Sequence, residues 1–233
     1  MSILIKRILT SLFLMSFVML SFFYSFILII LLILISMLSW IEFNGLIIKI
    51  FKDGDFKVKI LRLLIRAIAL IYLFIFSAIV FKSINQIEPI IKFNLLYLLF
   101  ICICSDVGGF IFGKTFKGKK LTKISPNKTI SGSIGSFILP LVLVPIFTYI
   151  LPNQFNNIFN LVILAIIVSF ICQIGDLFIS FLKRKANVKD TGDLLPGHGG
   201  ILDRIDGIVF ALPLGMMLWE FLIITVWKKK LQF

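Results

Sequence analysis

Apolar stretches as long as a bilayer is thick recur along this chain, and they dictate most of what it can fold into. A helix needs about 20 predominantly apolar residues to cross a hydrocarbon core about 30 Å thick. Such stretches occupy approximately residues 61–81, 94–113, 133–151, 159–182 and 206–227. A further run, Ile8 to Ile41, would be about 50 Å long as one helix at about 1.5 Å per residue, too long for one span and short for two. Hydrophobic residues make up 60% of the 233, against 15% charged, and mean hydropathy is +1.10. Charges this sparse, gathered into short clusters, cannot cover the surface of a soluble domain of this size. The expected fold is therefore an all-α, polytopic integral membrane protein.

Charge placement orients the spans. If Ile8 to Ile41 forms two short spans, the basic clusters at Lys6 and Arg7, Lys49 to Arg62, Lys114 to Lys128 and Lys183 to Arg204 all fall on one side. That is the positive-inside pattern, and it predicts about seven transmembrane helices with a cytoplasmic N-terminus. The opposite side holds the segment around Lys82, Glu88 and Lys92 and the uncharged Pro152 to Asn157, while Lys228, Lys229 and Lys230 break the rule. The net charge of +13 reads as a cationic membrane face rather than a nucleic-acid surface, because lipid-length apolar runs separate the basic clusters. No repeat or linker divides residues 1–233, so one membrane-embedded domain is expected, with anchor spans over 8–41 and a catalytic half over about 94–227. Cys102, Cys104 and Cys172 lie in apolar stretches without ligand-like spacing and read as free buried thiols.

Ionisable groups within apolar spans are costly unless paired or facing a wet cavity, which makes Asp106 and Asp176 functional candidates. If the helix from residue 159 continues past Asp176, Ser180, Lys183 and Arg184 follow on much the same face. Next comes KRKANVKDTGDLLPGHGGILDRIDG, residues 183–207, with Lys189, Asp190, Asp193, the only histidine, His198, and then Asp203, Arg204 and Asp206. Asp203 and Asp206, three apart, share a helix face and could hold one Mg²⁺ through hard oxygen ligands. Pro196, Gly197, Gly199 and Gly200 form a compact turn whose free amides, at a helix start, suit a phosphate. These are the parts that phosphoryl or nucleotidyl transfer needs: metal, charge neutralisation and positioning. Upstream, Ser125, Pro126, Asn127, Lys128, Thr129 and Gly132 could cap a membrane helix and bind anionic oxygen. Gly108 to Thr115, GGFIFGKT, formally matches a phosphate loop, but a membrane span precedes it and a lysine-rich loop follows, so it is read as a decoy.

Residues 180–206, SFLKRKANVKDTGDLLPGHGGILDRID, resemble the signature of the phosphatidate cytidylyltransferase (CDP-diacylglycerol synthase) family at full spacing. The resemblance extends through Gly175 and Asp176, through SPNKTISG at 125–132 and through Asp106 to Gly113 with Lys114. In the N-terminal spans it is confined to hydrophobic character, Trp40 and Glu42. It implies CTP plus phosphatidate giving CDP-diacylglycerol and pyrophosphate, with Mg²⁺ as cofactor. It also implies a lipid bilayer surround, a site at the cytoplasmic face of a bacterial inner membrane, and a homodimer. On that reading Asp176, Asp203 and Asp206 go to metal. Lys128, Lys183, Arg184, Lys189, His198 and Arg204 go to the phosphates, with Ser125, Thr129, Gly199 and Gly200 at the substrate. Two departures bear on metal coordination: the family usually carries acidic residues where this chain has Ser131 and Ile179. A lipid kinase and a transporter are the competing readings. Product analysis separates the first, and the absence of a visible inverted repeat argues against the second.

Overall fold

The computed structural model describes residues 16–21, 23–52, 55–85, 89–122, 124–150, 158–194 and 199–224. Among them the architecture is six long α-helices: α1 Ser25–Ile50, α2 Phe56–Asn85, α3 Pro89–Phe116, α4 Ile130–Ile150, α5 Ile158–Lys185 and α6 Leu202–Trp219, the last followed by a π-helical turn, Glu220–Ile224. All six are long and apolar enough to cross a membrane, and the chain is an integral membrane protein.

Four of the spans expected from residue 61 onward coincide with α2 to α5 to within about five residues; the fifth, expected over 206–227, starts four residues earlier, and α6 ends at Trp219 with the π-helical turn running to Ile224. The N-terminal run is different. α1 begins at Ser25 and continues past Trp40 to Ile50, so the later of the two spans expected within 8–41 is displaced toward the C-terminus. Residues 1–15 lie outside the described residues. So do three elements of the charge argument: Lys6 with Arg7, Pro152 to Asn157, and Lys228 to Lys230. Lys57, Lys59 and Arg62 belong to α2 rather than to a loop; their long aliphatic stems allow a charged head to reach the interface from a helix end.

The chain divides into two compact units, Met1–Asn85 with Ile179–Ile205, and Gln86–Phe178 with Asp206–Phe233, the divisions falling inside α5 and α6. In the first unit α1 packs on α2, with Ser36 and Ser77 hydroxyls bonded at 2.6 Å and the Trp40 indole donating to the Arg66 carbonyl at 3.3 Å. In the second, α3 and α4 meet through small residues. A Cβ on Gly135 would lie 2.6 Å from the Gly108 carbonyl oxygen, and one on Gly132 2.7 Å from that of Gly109. In lipid, where burial of apolar surface does not drive helices together, such close backbone approach supplies the packing energy. Tyr97 of α3 closes the core of this unit. Its hydroxyl donates to the Leu161 carbonyl at 3.2 Å and its ring meets Phe147 edge-on at 4.8 Å. The three cysteines are free, Cys102 and Cys172 buried and Cys104 half-buried.

Candidate functional site

The polar segment after α5 is shaped by a helix stop readable atom by atom. α5 runs unbroken through Asp176 and Ser180 to Lys185. It ends where Asn187 takes the left-handed conformation, φ 54°. The Val188 amide reaches back to the Lys183 carbonyl at 2.9 Å and the Asn187 amide to that of Arg184 at 3.1 Å. This pair of bonds is a Schellman motif, with asparagine in the position glycine usually takes. It turns the chain so that Lys189, Asp190 and Thr191 run back toward the start of α6.

There Asp203, in the first turn of α6, is enclosed by donors from its own unit. Lys183 Nζ sits 2.6 Å from Oδ1. Oδ2 accepts the Thr191 amide at 2.8 Å and the Gly200 amide at 3.2 Å, and the Thr191 hydroxyl, whose one proton faces Glu42 as well, lies 3.0 Å from it. The ion pair is largely sealed, with side-chain exposures of 13% for Lys183 and 6% for Asp203.

Beside it lies a residue that the sequence reading named only in passing. Glu42, midway along α1 and 5% exposed, accepts the Ile201 amide at 2.9 Å through Oε1, and through Oε2 the Leu202 amide at 2.9 Å and the Thr191 hydroxyl at 2.7 Å. A carboxylate at a helix start satisfies amides without intrahelical partners and complements the positive dipole end. The amides of Ile201 and Leu202 are thus taken by Glu42, and that of Gly200, one of the glycines of the turn read as suiting a phosphate, by Asp203. Arg184, Lys189 and Arg204 are exposed. Gly199 adopts φ +83°, a left-handed conformation that glycine enters without penalty. His198, with Pro196 and Gly197, lies outside the described residues.

The second unit holds the other candidates. Thr129 caps α4, its hydroxyl accepting the Gly132 amide at 3.1 Å, as the position before a helix favours. The approach to that cap is pinned by the Leu121 amide on the Lys128 carbonyl at 2.8 Å and the Ile130 amide on the Lys119 carbonyl at 3.0 Å. Ser125 begins one turn of this loop, its carbonyl accepting the Lys128 amide at 3.1 Å. Ser131, at a position where the family usually carries an acid, donates to the Lys117 carbonyl; Ile179, the other departure, is buried. The loop directs Lys128 to Asp176, with which it forms an ion pair, and both lie within electrostatic range of Asp106. α4 is tied to α5 by the Ser133 hydroxyl donating to Gln173 at 2.6 Å. α5 and α6 approach closely at Gly175 and Gly207: a Cβ on Gly175 would lie 2.7 Å from the Asp206 carbonyl oxygen, and one on Gly207 would strike Cys172. Asp176 and Asp206 each adjoin this crossing, and Asp206 Oδ1 accepts its neighbouring Gly207 amide at 2.9 Å.

Magnesium suits the donor chemistry of Asp176, Asp203 and Asp206, which are hard carboxylate oxygens. Asp203 is committed to Lys183, Thr191 and Gly200, Asp176 to Lys128, and among the described residues no group of three or more His, Cys, Asp or Glu side chains is placed to hold an ion. Gly108 to Thr115 is continuous helix within α3; its glycines serve the contact with α4 and make no phosphate loop.

A family model described as the cytidylyltransferase family matches residues 7–222. Among similar curated proteins is the phosphatidate cytidylyltransferase of Rickettsia felis, 46% identical over 127 residues, which cover 51% of this chain and 56% of that protein. The phosphatidate cytidylyltransferase of Bacillus subtilis is 37% identical over 143 residues, 60% of this chain and 53% of that protein. The one from Staphylococcus haemolyticus is 46% identical over 121 residues, 52% and 46% respectively. The chain spans about half the length of these relatives.

Proposed function

The chain belongs to the cytidylyltransferase family, and from that premise we propose that it transfers a cytidylyl group from CTP to phosphatidate, giving CDP-diacylglycerol and pyrophosphate. A phosphate oxygen of phosphatidate attacks the α-phosphorus of CTP, and the bond from that phosphorus to the pyrophosphate breaks. The nucleophile is already an anion, so no strong base is needed. The difficulty is bringing two anions together in line, which fixed cations and positioning overcome. The observation that carries the reading is the construction of the segment between α5 and α6. In it Lys183, Thr191 and Asp203 are joined by polar contacts, and the cations Arg184, Lys189 and Arg204 of the same stretch are exposed.

On this reading Arg184, Lys189, Arg204 and His198 bind phosphate oxygens, and Lys183 is held in place by Asp203. Lys128, in the loop whose Ser125 and Thr129 shape the start of α4, presents a further ammonium beside Asp176. Mg²⁺ would contribute charge neutralisation, with Asp176 and Asp206 as candidate ligands. The proposal includes a bacterial inner membrane, a site facing the cytoplasm where CTP is dissolved, lipid substrate and product held in the bilayer, and a homodimeric assembly. The test is product analysis with purified protein in lipid. Phosphatidate-dependent CDP-lipid with released pyrophosphate supports the transfer, whereas a nucleoside diphosphate and a newly phosphorylated lipid would replace it with a kinase reaction.

A further inference from the structure

Glu42 stands apart from the candidate cations and carboxylates: it is the sole acidic residue in the first 52 positions and is buried in a membrane-spanning helix. An acid in that position is expensive unless its oxygens are met. Here both are met: Thr191 and Ile201 belong to the segment between α5 and α6, and Leu202 is the first residue of α6. Two glycines of that segment make room for it. A Cβ on Gly192 would lie 3.0 Å from Glu42 Oε1, and one on Gly200 would overlap both Glu42 Oε2 and the Thr191 hydroxyl. The Thr191 hydroxyl also contacts Asp203 Oδ2, and Asp203 holds Lys183. A single chain of polar contacts therefore runs from α1 to the Lys183–Asp203 pair, within one compact unit.

We propose that Glu42 is a positioning residue for the catalytic segment: an internal anion that occupies the amides at the start of α6, fastens Thr191, Ile201 and Leu202 to α1 and thereby sets Asp203 and Lys183. Its role in turnover rests on the proposed cytidylyl transfer; the fastening itself does not. On this account part of the glycine-rich character of the segment serves an internal carboxylate rather than a substrate phosphate. Glu42 touches no substrate, so its loss should lower kcat and leave the KM for CTP nearly unchanged.

The test uses the full chain in lipid nanodiscs, wild type beside Glu42→Gln, Thr191→Val and Thr191→Ser. Glutamine keeps the shape of glutamate but turns one of the two acceptor oxygens into a donor facing donors. Hydrogen–deuterium exchange over residues 186–202 should quicken roughly tenfold or more in Glu42→Gln, and kcat per folded molecule should fall about 30-fold, equivalent to ~2 kcal/mol at about 1.36 kcal/mol per factor of ten. Thr191→Val should behave similarly, Thr191→Ser should stay near wild type, and Thr191→Val added to Glu42→Gln should lower kcat little further. Unchanged exchange in Glu42→Gln, or faster exchange with wild-type kcat, overturns the proposal. A wild-type protein that makes no CDP-lipid while exchange still quickens in Glu42→Gln contradicts the proposed reaction and upholds the fastening.

Discussion

Replacing Asp203 by asparagine separates a structural ion pair from a bare ligand position. In the native arrangement Oδ1 faces the Lys183 ammonium at 2.6 Å, and Oδ2 accepts the backbone amides of Thr191 and Gly200, with the Thr191 hydroxyl it shares with Glu42 at 3.0 Å. Asparagine has one acceptor oxygen. Turned toward Thr191 and Gly200, it points its NH₂ at the ammonium; turned toward Lys183, it leaves the backbone donors unmet. Breaking a buried pair from one side costs about 3–5 kcal/mol. Lys183 keeps 13% side-chain exposure and asparagine keeps one oxygen, so the low end applies, about 3 kcal/mol. For a chain of this length each kcal/mol lowers Tm by about 2–4 °C, giving a drop of roughly 6–12 °C. The assay is thermal unfolding of purified protein followed by tryptophan fluorescence, with Lys183→Met and the double variant alongside. The double variant should lose less than the sum of the singles by at least about 1 kcal/mol, since both remove one interaction. A Tm for Asp203→Asn within about 2 °C of wild type, well below the shift this size of domain requires, would refute the reasoning.

Three further outcomes are expected. Gly135→Ala places a methyl on the Phe112 ring and against the Gly108 carbonyl, and should destabilise the α3–α4 contact by about 1–3 kcal/mol in the same unfolding assay; Gly45→Ala, with nothing within 4 Å, should be neutral or slightly stabilising. Lys128→Met removes the partner of Asp176, and steady-state kinetics should show a fall in CDP-lipid formation of about 10-fold or more, as expected for a cation lost from a phosphoryl-transfer site. Lys114→Met changes a residue of the helical GGFIFGKT segment that lies over the Phe110 ring at 5.7 Å, so the KM for CTP should stay within about twofold of wild type, whereas loss of a true phosphate-loop lysine would raise it far more.

Much of this was legible because the membrane imposes a length. The spans of α3, α4 and α5 follow from uninterrupted apolar runs, and the cap at Thr129 follows from residue type before a helix. The start of α1 was not legible, because the apolar run offers no marker between Ile8 and Ile41 at which one helix must begin. Its end was hidden for a different reason. Glu42 looks like the polar edge of a span, yet its oxygens are satisfied by Thr191, Ile201 and Leu202, about 150 residues away, a pairing that local pattern cannot show. The signals available were the isolation of that acid in a helix whose other charge is Lys49 in its last turn, and its place in the family resemblance. The same gap bears on the α6 start: free amides were expected from the glycines, and that of Gly200 is met by Asp203 while Glu42 meets those of Ile201 and Leu202. The Lys183–Asp203 and Lys128–Asp176 pairs join candidates that sequence had already singled out, because intramembrane and interfacial charges are sparse enough to stand out.

The most direct test of the central claim is incorporation of labelled CTP into lipid by the purified protein, with phosphatidate present or absent and with Mg²⁺ supplied or chelated. The account predicts labelled CDP-lipid only when phosphatidate and Mg²⁺ are both present, with activity restored when Mg²⁺ is returned. Well-folded protein that incorporates no label under the complete conditions would contradict it.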